Sequence, residues 1–252
     1  MDTRTVTDRL AAAGCVAPDL EAAEMLAAAP RGEIPWAWVE RRERGEPLAW
    51  ITGVVWFCGR RLRSEPGVYV PRPQSEELAR RAAQALPDQG RALDLCAGAG
   101  AIAAHMASER PSAIVLAVDI DERAARCAAT NGVPVVVSDL ARAVRGVARF
   151  DVVTAVAPYV PSAAVRLLPA DVRDHEPIHA LDGGGDGLDV ARRVVVDAAR
   201  LLRPGGSLLL EVGGDQDAML GSDLDAAGFD DVETWADEDG DLRGLVATRR
   251  QG

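Results

Sequence analysis

Three carboxylates, each beside a short apolar run, are the residues best suited to chemistry. Asp94 heads Asp94-Leu-Cys-Ala-Gly98-Ala-Gly100-Ala-Ile-Ala103, Asp119 closes the next apolar run, and Asp139 follows the one after it in Ser138-Asp139-Leu140. Glycines at a strand-to-helix turn let the backbone pass close to a ligand and aim the next helix N-terminus at it. Gly98, Gly100 and Ala103 also fit G-x-G-x-x-A with an acid about 20 residues on, so the turn alone does not separate a nicotinamide cofactor from others. Plainer readings are a glycine turn without a ligand and a helix N-cap for Asp119 or Asp121. Three features choose among them. Asp94 precedes the glycines, where a cationic amino-acid group is welcome and a pyrophosphate is not. Asp139 sits where it could accept from an adenine amine, and the chain closes on a hairpin unusual for a dinucleotide fold. Together they describe S-adenosylmethionine, with its amino-acid moiety near Asp94, its ribose on Asp119 and its adenine by Asp139. Cys96, Ile120 and Leu140, adjacent to these acids, join the expected cofactor contacts.

The elements that must hold these residues follow from the hydrophobic pattern. Strands are expected at Ala92–Cys96, Ile114–Asp119, Val133–Val137, Asp151–Val156, Ser207–Val212, Asp231–Trp235 and Leu242–Thr248. Helices are expected between them at Ala101–Ser108, Asp121–Thr130, Asp189–Leu202 and Gln216–Ala227. Such alternation specifies an α/β, Rossmann-like fold whose ligands lie at the carboxyl ends of parallel strands. The last two runs, joined by the acidic turn 236–241, read as an antiparallel hairpin. The expected division is a small helical domain over 1–52, a β-hairpin linker over 53–70, and a cofactor-binding domain over 71–252. In the first part Leu20, Ala23, Met25, Leu26 and Ala27 are expected to form an apolar stripe. Trp36, Trp38, Trp50 and Trp56 are expected to form its core or to cap an apolar substrate.

Composition narrows the function classes. The 252 residues carry 28 basic side chains, all Arg, against 39 acidic ones, a net charge of -11. That field repels nucleic acid, and 4% aromatics leaves little for base stacking. With no Lys there is no Schiff-base chemistry, P-loop or Tyr/Lys dehydrogenase pair. The four cysteines, Cys15, Cys58, Cys96 and Cys127, show no metal-ligand or disulfide spacing, so no metal is expected. No apolar run approaches the ~20 residues of a membrane span. A soluble, cytoplasmic protein is expected.

Several segments, in order, resemble the HemK/PrmC-type methyltransferases. They are Gly45-Glu-Pro-Leu-Ala-Trp-Ile-Thr-Gly53, Val70-Pro-Arg-Pro-Gln-Ser-Glu76, the glycine turn, Ala157-Pro-Tyr-Val-Pro161, His175-Glu-Pro, Ala180-Leu-Asp-Gly-Gly-Gly-Asp-Gly-Leu188, and Arg203-Pro-Gly-Gly with Glu211-Val-Gly and Gln216. The resemblance implies S-adenosylmethionine as cofactor and, as substrate, the glutamine of the GGQ loop of peptide-chain release factors. It also implies a lid at Pro71-Arg72-Pro73, which adds Arg72 and Pro73 to the cofactor contacts, and an N-terminal helical domain that engages the release factor. The family's Asn-Pro-Pro-Tyr loop appears here as Val156-Ala157-Pro158-Tyr159. In the family the Asn oxygen helps hold the substrate amide, and Val156 has no acceptor. The expected catalytic set is Val156, Pro158, Tyr159 and His175, with His179 a second candidate base and Glu176 a brace for its loop. The reading favoured by the missing Asn is methylation of a small molecule of specialised metabolism. Family resemblance also suggests cyclopropane formation beside a radical-S-adenosylmethionine partner enzyme. The alternatives are retained glutamine methylation, or a cofactor-binding partner protein without catalysis.

Overall fold

The computed structural model describes residues 2–145 and 149–251. Four helices open the chain: α1 (Thr3–Ala12), α2 (Pro18–Ala28), α3 (Trp36–Glu43) and α4 (Leu48–Thr52). Pro18 starts α2 where a missing N–H costs nothing, with Asp19 and Glu21 in its first turn favoured by the helix dipole. These helices share a core of Val6, Leu10, Ala22, Met25, Ile34 and Val39. The stripe expected on α2 is out of phase. Ala22 and Met25 face the core, whereas Leu20 is 68% and Leu26 38% exposed. An alanine-rich helix offers several phases of similar hydrophobicity, and packing selects one. Of the four tryptophans in residues 36–56, Trp50 is buried and Trp38 packs on the helical core, while Trp36 and Trp56 are exposed.

A short antiparallel hairpin follows, β1 (Val54–Phe57) with β2 (Arg60–Arg63), paired Val54 to Arg63. It ends earlier than the expected 53–70, because Pro66 and Gly67 turn the chain and residues 64–70 run back without a ladder. Helix α5 (Glu76–Ala85) then buries Leu78, Ala79, Ala82 and Ala83 and pairs Glu77 with Arg81 outside at 2.8 Å. This helix is absent from the sequence-based reading, although its i, i+4 spacing of both apolar and charged residues is regular.

The remaining strands are β3 (Arg91–Leu95), β4 (Ile114–Asp119), β5 (Val135–Val137), β6 (Phe150–Ala155), β7 (Leu202–Glu211), β8 (Phe229–Ala236) and β9 (Leu242–Arg249). They form one seven-stranded sheet in the order β5-β4-β3-β6-β7-β9-β8. The first five strands in that order run parallel, and β9 inserts antiparallel between β7 and β8. Strand β5 begins two residues later than expected, since Pro134 has no N–H for the ladder. Strand β7 extends further back, but Arg203-Pro-Gly-Gly bulges out, and regular pairing with β6 resumes at Ser207, where the sequence places it.

The connecting helices are α6 (Ala101–Glu109), α7 (Glu122–Thr130), the short α8 (Ala170–Arg173), α9 (Asp189–Leu201) and α10 (Gln216–Ala226). Successive strands depart in opposite directions from β3 and β6, which makes the gap between them the switch point where such sheets bind ligands. Gly100 sits there at φ 78°, and an added Cβ would lie 2.9 Å from the Ala128 Cβ on α7. A Gly100→Ala variant is expected to lose about 2 kcal/mol from left-handed strain and overpacking. In a chain of this size that lowers Tm by roughly 4–8 °C, which differential scanning calorimetry reads.

Candidate functional site

At the switch point the strand ends open into a cleft of ≈ 510 Å³, within the range of small-molecule sites. Its walls include Asp94, Cys96, Gly98, Asp119, Ile120, Asp139 and Leu140 from the expected cofactor set, and Val156, Pro158 and Tyr159 from the catalytic one. Ten separately predicted residues thus line one cavity.

Asp94 stands one residue from the carboxyl end of β3 and is 1% exposed. Thr154 Oγ1 donates to one of its oxygens at 2.7 Å and the Ala103 N–H to the other at 3.2 Å, so it ties β6 and the first turn of α6 to the glycine turn. Burial pushes its pKa up to about 7 against the pull of those two bonds. The folded protein therefore holds this proton more tightly than the unfolded chain, and stability falls as pH rises from about 4 to about 7. An incoming cation reverses the preference. Cofactor binding near pH 6.5 is expected to release a proton from Asp94, and affinity to rise with pH through about 7. Calorimetry in two buffers of different ionisation enthalpy reads the proton, and Asp94→Asn should abolish the release and flatten this part of the stability profile.

Asp119, at the end of β4, accepts from the Gly98 N–H at 2.7 Å and from the Asp121 N–H at 2.8 Å. Asp121, not Asp119, is the N-cap of α7, accepting from the Arg123 N–H at 2.7 Å. Asp119 therefore fixes the glycine turn against the next loop while its carboxylate lines the cleft, and burial raises its pKa. Ile120 beside it is 61% exposed, an apolar ledge for a flat ring. Asp139 pairs with Arg193 at 2.6 Å, and Leu140 after it has φ 45°, a left-handed conformation uncommon for leucine. Cys96 has φ 55°, and burial raises its thiol pKa, so it serves the wall as a thiol and not as a nucleophile.

These observations fit a cationic nucleoside. Asp94 has no cationic side chain paired with it among the described residues, six carboxylates line the cleft against two basic side chains, Arg193 and His179, and Ile120 offers an exposed apolar face. Asp94, Asp119, Ile120, Asp139 and Leu140 are the residues that could hold S-adenosylmethionine.

The loop after β6 is held from behind by the Gln216 side chain. Gln216 Nε2 donates to the Tyr159 carbonyl at 3.0 Å and its Oε1 accepts from the Gly213 N–H at 3.1 Å. Gly183 and Gly187 pack so closely that a Cβ would lie 2.5 Å from the Pro158 carbonyl oxygen at the first and nearer still to that of Tyr159 at the second, which explains two of the glycines in the run 182–187. Burial raises the pKa of the Tyr159 hydroxyl, with the nearby Glu211 carboxylate adding to it.

Four predicted residues lie elsewhere. Gly100 serves the packing of α6 on α7 and does not line the cleft. Arg72 turns away to form an ion pair with Glu176, whose carboxylate is buried and needs a cation. Glu176 is thus the brace expected of it, tying the segment 71–73 to its own loop. Pro73 is exposed and opens a 3-10 turn, while its neighbours Pro71 and Ser75 line the cleft instead. His175 is not at the cleft. Its ring packs edge-on to Trp50 at 6.4 Å, between the N-terminal helices and the Glu-Pro loop. Its place as a base is not met, because the loop uses it for packing; His179 lines the cleft, with Nε2 3.5 Å from Asp121. Sequence reasoning missed Phe57, Tyr69 and Ile178 as lining residues. Phe57 and Tyr69 lie in the segment read as a linker hairpin, and Ile178 in a loop, so none belongs to the strand–helix units that pointed to the cleft. Gln216 stood within a quoted segment, but nothing in its spacing pointed to the Tyr159 carbonyl.

Fold and site are those of a class I S-adenosylmethionine-dependent methyltransferase. The methyltransferase small domain model matches residues 60–164. A release factor glutamine methyltransferase of Mycolicibacterium smegmatis is 38% identical over 79% of this chain and 79% of its own length. A 4-amino-L-phenylalanine/4-methylamino-L-phenylalanine methyltransferase of Streptomyces pristinaespiralis is 38% identical over 81% of this chain and 74% of its own. Among solved structures, the Thermus thermophilus 16S rRNA N2 G1207 methyltransferase, in complex with AdoMet and guanosine, aligns with TM-score 0.57 and 24% identity over 78% of this chain and 50% of its own. This chain belongs to the HemK/PrmC family of methyltransferases.

Proposed function

We propose that the protein transfers the methyl group of S-adenosylmethionine to a small-molecule nucleophile, and not to a release-factor glutamine. The observation that carries this reading is Val156. It follows β6 directly and lines the cleft, where the family pattern has an Asn whose oxygen accepts a substrate amide N–H. A buried amide N–H left without an acceptor costs about 1–3 kcal/mol, and losing its alignment costs more. An amine or hydroxyl on an apolar ring meets no such demand. The Streptomyces pristinaespiralis relative, named for an aromatic amino acid bearing an amine, supports a similar acceptor here.

Bound S-adenosylmethionine supplies an already activated methyl group. The chain has to bind, orient and exclude water. Phe57, Val156 and Pro158 give the cleft an apolar wall, and the Tyr159 hydroxyl can direct a nucleophile's lone pair. An aryl amine is neutral near pH 7 and attacks without prior deprotonation, so this chemistry does not depend on a base at His175. Cyclopropane formation with a radical-S-adenosylmethionine partner would likewise proceed without an amide clamp.

The test is methyl-labelled cofactor with 4-amino-L-phenylalanine and, separately, a GGQ peptide. Label on the amine and none on the peptide is expected. Enzyme-like transfer to glutamine overturns the reading, and cofactor binding with no transfer to any acceptor class favours a non-catalytic partner protein.

A further inference from the structure

A second cavity of ≈ 210 Å³ adjoins the cleft, with Tyr69, Tyr159 and Ala180 lining both. Three charged side chains line it: Arg72, Glu211 and Arg243. Glu211, the last residue of β7, is 7% exposed. Ser75 Oγ donates to its Oε2 at 2.5 Å; among the described residues no hydrogen bond reaches Oε1 and no cation lies within ion-pair distance. A buried carboxylate without a cationic partner is costly unless something else neutralises it. Both arginines are paired. Arg72 holds Glu176 and lies over the Tyr69 ring at 5.0 Å, whereas Arg243 binds Asp237 through Nε at 2.7 Å and Nη2 at 2.6 Å, with Asp241 at 3.5 Å, and no hydrogen bond reaches its Nη1 among the described residues. The cavity thus offers one acceptor for a cation and one donor for an anion, separated from Val156 and Pro158 by the two tyrosines.

Resting on the small-molecule reading above, we propose that this side cavity binds the zwitterionic head of an α-amino acid, Glu211 taking the ammonium and Arg243 the carboxylate, while the side chain reaches past Tyr69 and Tyr159 to the methyl group. A bare amine or a bare acid would answer one charge and leave the other unmatched. The two shared tyrosines form the passage between head-group cavity and cleft.

Ligand-observed NMR on the full chain saturated with S-adenosylhomocysteine tests this, using the twenty common amino acids, 4-amino-L-phenylalanine, and three truncated forms of the last. These are 4-(2-aminoethyl)aniline without the carboxylate, 3-(4-aminophenyl)propanoic acid without the ammonium, and 4-methylaniline without either. At least one amino acid is expected to bind, with each truncation weakening 4-amino-L-phenylalanine about 10- to 100-fold. Glu211→Gln should weaken the amino acid by a similar factor and leave the Kd of S-adenosylhomocysteine and of 4-methylaniline unchanged, which a merely structural role would not do. Equal affinity for 4-methylaniline and the parent amino acid, or no binding by any amino acid, overturns the head-group site and leaves the small-molecule reading standing. Transfer to the GGQ peptide overturns that reading itself. If Glu211→Gln does not fold, the truncation series on the unaltered protein decides.

Discussion

Asp119→Ala is expected to weaken S-adenosylmethionine binding by about 10²–10⁴-fold. Two costs combine. The variant orphans the Gly98 and Asp121 N–H groups, which now meet at one carboxylate, so the glycine turn and the start of α7 lose their common anchor. On the proposed cofactor placement it also removes the acceptor for two ribose hydroxyls, whose charge-assisted bonds contribute about 1.5–3 kcal/mol each. The fold should survive, because burial already raises the pKa of this carboxylate, so deleting it also relieves a desolvation cost. Asp119→Asn, which keeps one acceptor, should fall between the two. Calorimetric titration with the cofactor, beside a thermal melt of each variant, reads both quantities. Unchanged affinity in the alanine variant contradicts the cofactor site.

Which parts were legible follows from the reach of each signal. The central strands announce themselves through runs such as Ile114–Asp119, whose bounds agree in sequence and structure, because a buried parallel strand is apolar on both faces. Asp94, Asp119 and Asp139 were found because strand ends in a parallel sheet converge, so spacing along the chain reports proximity in space. His175 illustrates the limit. Its neighbour Glu176 pairs with Arg72 from a segment 104 residues away, and that pair turns the loop so that His179 faces the cleft and His175 faces Trp50. No local pattern encodes that choice. Glu211 stood in a quoted segment, but its lack of a cationic partner was illegible for the same reason, since it depends on which charges remain unpaired after folding. The phase of α2 failed differently: Leu20 and Met25 are equally apolar in sequence, and only docking against α1 decides between them.

Val156→Asn should open glutamine as an acceptor, raising methyl transfer to a GGQ peptide by about 100-fold over the parent protein. Asn is close to Val in volume, and Val156 is only partly buried at the cleft wall, so the exchange asks little of the core. What it adds is one side-chain oxygen beside the Pro158-Tyr159 backbone, which Gln216 already holds rigid at 3.0 Å from the Tyr159 carbonyl. A rigid backbone matters, because an amide nitrogen is a poor nucleophile until both its hydrogens are held and its lone pair is turned to the methyl group. Satisfying a buried amide N–H that otherwise costs about 1–3 kcal/mol corresponds to roughly 5–150-fold, with alignment adding to it. Transfer to an aryl amine should fall in the same variant, since the new oxygen presents a polar group where an apolar ring packs. Label on glutamine and loss of label from the amine, measured side by side with tritiated cofactor, would locate acceptor choice in one side chain. If glutamine stays unlabelled while the cofactor binds normally, acceptor choice lies in the surfaces that dock the release factor, and the loop is not its determinant.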